Sequence, residues 1–177
     1  MIQHKIGDLF EGDSDIIVHQ VNCRGAMGSG VAKQVRARYP NVYKVYCRHC
    51  ADYHARGESP LGEALLVKAE PDSENSVWVA NLFAQDGYGY GERHTDYEAL
   101  WSSLRVLRNY CLSLQSLRPK DEGGNPAPVK IGIPFKMSCD RGGGDWAGRV
   151  YPMIEEILGD LDVTLYELPK DEERSTK

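Results

Sequence analysis

The chain has 177 residues, a net charge of −5 and 41% hydrophobic residues. That length suits one domain, able to bury roughly two-thirds of its unfolded surface without staples, and the apolar content lies well above the disordered range. The acidic balance excludes an overall basic footprint for nucleic acid or an anionic membrane, so a phosphate-bearing ligand would be held by backbone N–H groups rather than by a basic field. The first ten residues lack a basic stretch followed by an apolar run, and no stretch approaches the length of a membrane span. Five cysteines, an odd count at irregular spacing, point to free thiols in a reducing cytoplasm.

Residues 2–6 read as a short strand closed by Gly7 and Asp8. Asp15 to Val21 carries a nearly continuous β-branched run, the pattern of a strand buried on both faces. A loop from Asn22 to Gly30 follows, then a helix from Val31 to Tyr39 stopped by Pro40. Residues 42–56 predict a second helix, with Val42, Val45 and Tyr46 inward and a stop at Gly57. Ala64 to Ala69 and Val77 to Phe83 predict two strands joined by the polar turn at residues 71–75. Thr95 and Glu98 form a capping box, and Tyr97, Leu100, Trp101, Leu104, Leu107, Cys111 and Leu114 form an apolar stripe behind it.

Residues 118–128 read as a flexible connector. Val129 to Ile133 predicts a buried strand, Trp146 to Leu158 a helix, and Val163 to Leu168 a last strand. The fold class is therefore α/β: a mixed central sheet of about six strands with helices on both faces. Residues 1–168 form the domain, and 169–177 are a charged tail expected to be disordered. Ligands in such sheets bind beyond the carboxyl ends of the strands.

Glycine sits at two strand–helix junctions. The first spans Asn22 to Ala32, with Gly25, Gly28 and Gly30 allowing close backbone approach, and the free N–H groups of the next helix make an anion site. The spacing is neither that of a Walker loop nor that of a dinucleotide fingerprint. The second spans Pro134 to Trp146 and holds three consecutive glycines, Gly142, Gly143 and Gly144. Such a run is costly to order and needs a reason: close approach to a diphosphate, or a mobile lid. Asp145 also suits a helix N-cap.

Gly7-Asp8-Leu9-Phe10, the strand ending at Asn22, Met27 to Ala32, Asn81 to Gln85 and Ile133 to Trp146 together resemble a macrodomain, in the branch that includes ADP-ribose 1''-phosphate phosphatases and the terminal ADP-ribose–protein glycohydrolase. The likeness runs from about residue 1 to 168. It implies a three-layer α/β/α fold and ADP-ribose, or an ADP-ribosylated molecule, as ligand. Asp8, with the Leu9 backbone beside it, would accept from the adenine amino group; the alternative is a plain turn cap. Asn22 would reach the distal ribose. Met27, Gly28, Ser29, Gly30 and Val31, with Met137, Ser138, Cys139, Asp140, Arg141, Gly142 and Gly143, would wrap the diphosphate and that ribose. The resemblance implies no cofactor or metal, and the chain is expected to act as a monomer without a nucleic-acid groove.

The glycohydrolase branch places a lysine nucleophile just after the strand ending here at Phe83, where this chain has Ala84, Gln85 and Asp86. A glutamine cannot form a lysine–ribose adduct. An acidic residue in the second loop is also part of that branch's pattern, and Asp140 or Asp145 could fill it. His19, three residues before Asn22, could act as general base or acid, or be a satisfied core histidine. With Asn22 and Asp140 it is a candidate for cleaving a phosphate or ester at C1''. Cys47, Cys50 and His54 share one helical face, but structural zinc normally takes four ligands and no fourth is evident. Tyr88, Tyr90 and His94 lie on a loop that either covers the ligand or is ordinary surface. The readings are an ADP-ribose-derivative hydrolase, a non-catalytic ADP-ribose reader, and a generic nucleotide-binding module.

Overall fold

A computed structural model of the chain describes residues 2–74, 76–89, 92–139 and 141–169. Its strands are β1 (Gln3–Ile6), β2 (Ile16–Asn22), β3 (Ala64–Lys68), β4 (Trp78–Gln85), β5 (Lys130–Pro134) and β6 (Asp162–Glu167). They form one six-stranded sheet in the order β1-β6-β5-β2-β4-β3. Every adjacent pair is parallel except β3 and β4, which run antiparallel as their polar turn predicts. The helices are α1 (Gly30–Arg38), α2 (Pro40–Ala55), α3 (Tyr97–Ser116) and α4 (Tyr151–Leu158).

Two apolar layers sandwich the sheet. On one face Val18, Ala80, Leu82 and Ala84 pack with Leu100, Leu104 and Leu107 of α3 and Ile154 and Leu158 of α4. On the other, Val21, Val79 and Phe83 pack with Val35 of α1 and Val42, Tyr46 and Cys50 of α2. From Ile16 to Val21, strand alternation thus assigns even positions of β2 to the α3 side and odd positions to the α2 side. The three-layer mixed sheet expected from the sequence is the fold that forms.

Several local expectations change. Pro40 does not merely stop a helix: it ends α1 and occupies the first turn of α2, where its missing N–H costs nothing. Thr95 does not cap α3. The Asp96 carboxylate accepts from Ala99 N at 2.9 Å and takes that role, because the Thr95 hydroxyl is buried and bonded elsewhere. The last helix opens with a π-type turn over Trp146–Val150, capped by Asp145, which accepts from Gly148 N. The connector at 118–128 closes on itself as a small loop, with Lys120 bridged to Pro126 and Asp121 Oδ1 accepting from Asn125 N at 2.8 Å. Asp8 caps a 3-10 turn over Leu9–Glu11, in line with the turn-cap alternative. Asn75 in the β3–β4 turn and the tail from Lys170 lie outside the described residues.

Leu104 is fully buried between α3 and the sheet. Leu104→Ala is expected to cost about 2–5 kcal/mol of stability, measured by urea denaturation.

Candidate ligand-binding site

β2, β4 and β5 end beneath a cavity of about 720 Å³, a size suited to a nucleotide-sized ligand. The first glycine loop forms one wall. Asn22 ties it together: its Oδ1 accepts from Arg24 N at 2.9 Å and Ala26 N at 3.2 Å, and its Nδ2 donates to Ala26 O at 2.6 Å. The buried Tyr46 hydroxyl donates to Asn22, within 2.9 Å of both its carbonyl oxygen and Oδ1. Burial holds that phenol's pKa well above its ordinary value, so it remains a donor. The carboxamide therefore keeps only one N–H for a ligand.

The loop delivers Gly28, Ser29, Gly30, Val31 and Ala32 to the cavity. Ser29 is the N-cap of α1, yet its side chain makes no capping bond, and no acidic residue occupies the first turn. The first-turn amides lack intrahelical acceptors and sit at the positive end of the helix dipole, which favours an anion.

Beneath the cavity two side-chain relays start from main-chain carbonyls. Leu65 O can only accept, so Asn81 presents Nδ2 to it at 3.1 Å and turns Oδ1 to His19 Nε2 at 2.9 Å. Nε2 therefore carries the imidazole proton, and Nδ1 is a buried lone pair without a partner among the described residues. Burial outweighs the bond to Asn81 and pushes the His19 pKa down to about 4, so the ring is neutral at physiological pH. The second relay starts at Gly87 O, which accepts from Gln85 Nε2 at 2.8 Å. Gln85 Oε1 then accepts from Gln20 Nε2 at 2.6 Å, and that amide also donates to Thr95 Oγ1 at 3.1 Å. His19, Gln20 and Gln85 all line the cavity.

The second glycine loop is docked onto this relay. Thr95 Oγ1 donates to Ser138 O at 3.0 Å, while Gly142 O accepts from both His94 N and Thr95 N at 3.0 Å. A Cβ at Gly142 would collide with Thr95 Oγ1, Ser138 O and Gln20 Nε2. This need for space explains that glycine without a mobile lid. Lys136 and Ser138 both hold positive φ, at 57° and 71°. Strain of that kind in non-glycine residues concentrates at ligand sites.

Of the residues singled out in the sequence, the cavity brings together His19, Asn22, Gly28, Ser29, Gly30, Val31, Met137, Ser138, Arg141 and Gly142. Met27 is core and Leu9 is buried outside the cavity wall. Asp8 also lies outside it, its carboxylate accepting from Phe10 N at 2.9 Å with Arg38 3.7 Å away. Cys139 and Gly143 belong to the second loop without lining the cavity. Asp140 and Tyr90 lie outside the described residues. Tyr88 lines the cavity and is 64% exposed.

Cys47, Cys50 and His54 do not converge. Cys50 is buried, His54 is exposed, and the Cys47 thiol donates to Gly25 O. His49, not His54, turns inward, onto Phe83 and Glu63. Among the described residues no group of three or more His, Cys, Asp or Glu is placed to hold a metal ion. Among them, too, no helix is long and apolar enough to cross a membrane. Gln20, Asn81 and Thr95 are the site residues that sequence reasoning missed. For Gln20 and Asn81 the available signal was a polar residue inside a run that must be buried on both faces; Thr95 carried none beyond its place before a helix.

The Macro domain family model matches residues 18–112. The chain belongs to the macrodomain family. Among proteins with assigned activities, this macrodomain is similar to the ADP-ribose 1''-phosphate phosphatase of Meyerozyma guilliermondii, with 34% identity over 99 residues, 51% of this chain and 57% of that protein. It is 27% identical over 166 residues to the Saccharomyces cerevisiae ADP-ribose 1''-phosphate phosphatase, 86% of this chain and 89% of that protein. The match thus spans little more than half the length of the first relative. Among solved structures, Thermosipho africanus DarTG in complex with ADP-ribose has the same fold, with a TM-score of 0.67 at 22% identity, covering 94% of this macrodomain and 42% of that chain.

Two glycine variants separate ligand space from protein space. A Cβ at Gly28 meets nothing within 4 Å, so Gly28→Ala should keep the wild-type Tm and weaken binding of ADP-ribose, measured by calorimetry. Gly142→Ala should lower both affinity and stability, the latter by about 1–3 kcal/mol. His19 adds a pH signature. Its folded pKa lies below the unfolded value of 6.5, so the unfolded chain binds the proton first as pH falls. Stability should therefore be lost between pH 6.5 and about 4, by a total on the order of 3 kcal/mol. Urea denaturation at pH 7 and 4.5 should show this loss in the wild type and less of it in His19→Gln.

Proposed function

We propose that this macrodomain binds ADP-ribose in the cavity and hydrolyses the phosphate monoester of ADP-ribose 1''-phosphate, releasing ADP-ribose and inorganic phosphate. The acting unit is residues 1–168, a monomer in the cytoplasm that needs no metal or cofactor. Similarity to the two yeast phosphatases supports the substrate, and likeness to an ADP-ribose complex supports the ligand. One observation carries the reaction: His19 lines the cavity, and its buried, unprotonated Nδ1 has no partner among the described residues.

The phosphates sit against the first turn of α1 and the second loop, held by the backbone N–H groups of that turn, with Lys136 and Arg141 also on the cavity wall. A water positioned in line with the C1''–O–P bond attacks phosphorus and gives its proton to His19 Nδ1. The P–O bond to the C1'' oxygen breaks, and that oxygen takes a proton from the carboxyl of Asp140 in its acid form, assigned here from its sequence position in the second loop; the proton left on His19 passes to solvent and Asp140 is reprotonated from it. An imidazole with a pKa of about 4 is a weak base in the free protein. A bound phosphate dianion beside it favours the protonated form and raises that pKa toward the range where base catalysis is efficient. Asn22 shapes the first loop and offers its one remaining N–H to the distal ribose. Asp8 and Leu9 are assigned to the adenine end, where Asp8 would give up its contact with Arg38 and keep its turn-capping bond.

The absence of a lysine after Phe83 disfavours a covalent lysine–ribose route. The test is phosphate release from ADP-ribose 1''-phosphate. His19→Gln should lower kcat by about 10²–10⁴-fold while ADP-ribose affinity changes little. Equal turnover in wild type and His19→Gln would contradict the assignment of the base, and no turnover in the wild type with intact ADP-ribose binding would make the protein a reader.

A further inference from the structure

The relay under the second loop ends in a group that the reaction above does not use. Gln85 Nε2 must face Gly87 O, because a carbonyl cannot donate. Gln85 Oε1 consequently faces Gln20, which fixes the Gln20 amide with Nε2 toward Gln85 and Thr95. Both Gln20 N–H bonds are thereby consumed. Its Oε1 is left buried with no hydrogen-bond partner among the described residues, in a residue that lines the cavity. A buried acceptor without a partner is costly, and such a cost persists where a ligand group satisfies it.

The chemistry of that group follows. Only a donor can meet a lone pair. A fully ionised phosphate oxygen has no proton to give and would face a second acceptor, whereas a ribose hydroxyl can donate. The orientation cannot easily reverse, since a flip of Gln20 would set Oε1 against Gln85 Oε1. Thr95 reinforces it: its hydroxyl proton is committed to Ser138 O, so it can only accept from Gln20.

We propose that Gln20 is a specificity-determining residue that accepts a hydrogen bond from a hydroxyl of the distal ribose. It thereby selects a ribose hydroxyl, and not a phosphate, for the α3 side of the cavity, while His19 faces the substrate from the α2 side. This rests on the ADP-ribose reading and adds to it a requirement for a donor at one hydroxyl. Gln85 and Thr95 are positioning residues, acting through the orientation they impose on Gln20.

The experiment compares binding of ADP, ADP-ribose, and 2''- and 3''-modified ADP-ribose by calorimetry. In the wild type, replacing one of these hydroxyls by hydrogen should weaken binding roughly tenfold, and replacing it by fluorine, which accepts but cannot donate, should weaken it as much. Gln20→Met should erase that penalty while ADP binding stays at the wild-type value. Fluorine restoring affinity at both positions, or no penalty at either, overturns the proposal on wild-type protein alone. So does a penalty that survives in a Gln20→Met variant that binds ADP normally. ADP-ribose binding no tighter than ADP would overturn the recognition of the distal ribose itself, and with it the reading on which the proposal rests.

Discussion

The parallel pairing of β2 with β4 is the constraint on which the site depends. Its register sets His19 beside Asn81 and Gln20 beside Leu82, and it breaks between Val21 and Asn22 so that Asn22 meets Gln85. Strict alternation would send Gln85 to the face occupied by Phe83; the irregularity instead lets it reach Gln20 on the α3 side. A one-residue slip would exchange the two faces of β2 and bring His19 under α3. The apolar neighbours make such a slip expensive, because Val18 and Val21 are both fully or nearly fully buried on opposite layers.

From that pairing the two loops take their positions. Asn22, the last residue of β2, folds the first loop over its own carboxamide and is buttressed by Tyr46 from α2. Thr95, just before α3, carries the second loop on its hydroxyl. Each loop is thus fastened to the sheet through one polar side chain and one helix. The result is a cavity with N–H groups at the α1 end and, buried under the strand ends that line it, two acceptors, His19 Nδ1 and Gln20 Oε1, without a hydrogen-bond partner among the described residues. An anion belongs at the first and proton donors at the second. A phosphorylated ribose, with a water to be activated, offers both.

The layers, the mixed sheet with its one antiparallel pair and both glycine loops were legible in the sequence, because hydrophobic periodicity and glycine placement report burial and backbone approach directly. The first loop was legible as an anion site for the same reason. What could not be read was which polar side chain answers which. Thr95 and Asp96 are both good helix caps by type, and only the burial of the Thr95 hydroxyl against Ser138 O decides between them. Three glycines in a row suggested ligand contact, yet Gly142 is needed chiefly because Thr95 and Gln20 crowd it. Gln20 lies inside the nearly continuous β-branched run of β2, where the sequence alone gives it no partner. Its role depends on a chain of amides that begins at Gly87, 67 positions away in sequence by the numbering of the two residues.

The central claim is that His19 faces the ligand as a neutral acceptor. Long-range proton–nitrogen NMR of the imidazole ring tests it most directly. At pH 7 Nε2 should carry the proton and Nδ1 should show the signature of a free lone pair, and the Nδ1 resonance should move when ADP-ribose 1''-phosphate or inorganic phosphate with ADP-ribose is added. A proton on Nδ1 at pH 7, or an Nδ1 resonance indifferent to those ligands at saturating concentration, would contradict the account.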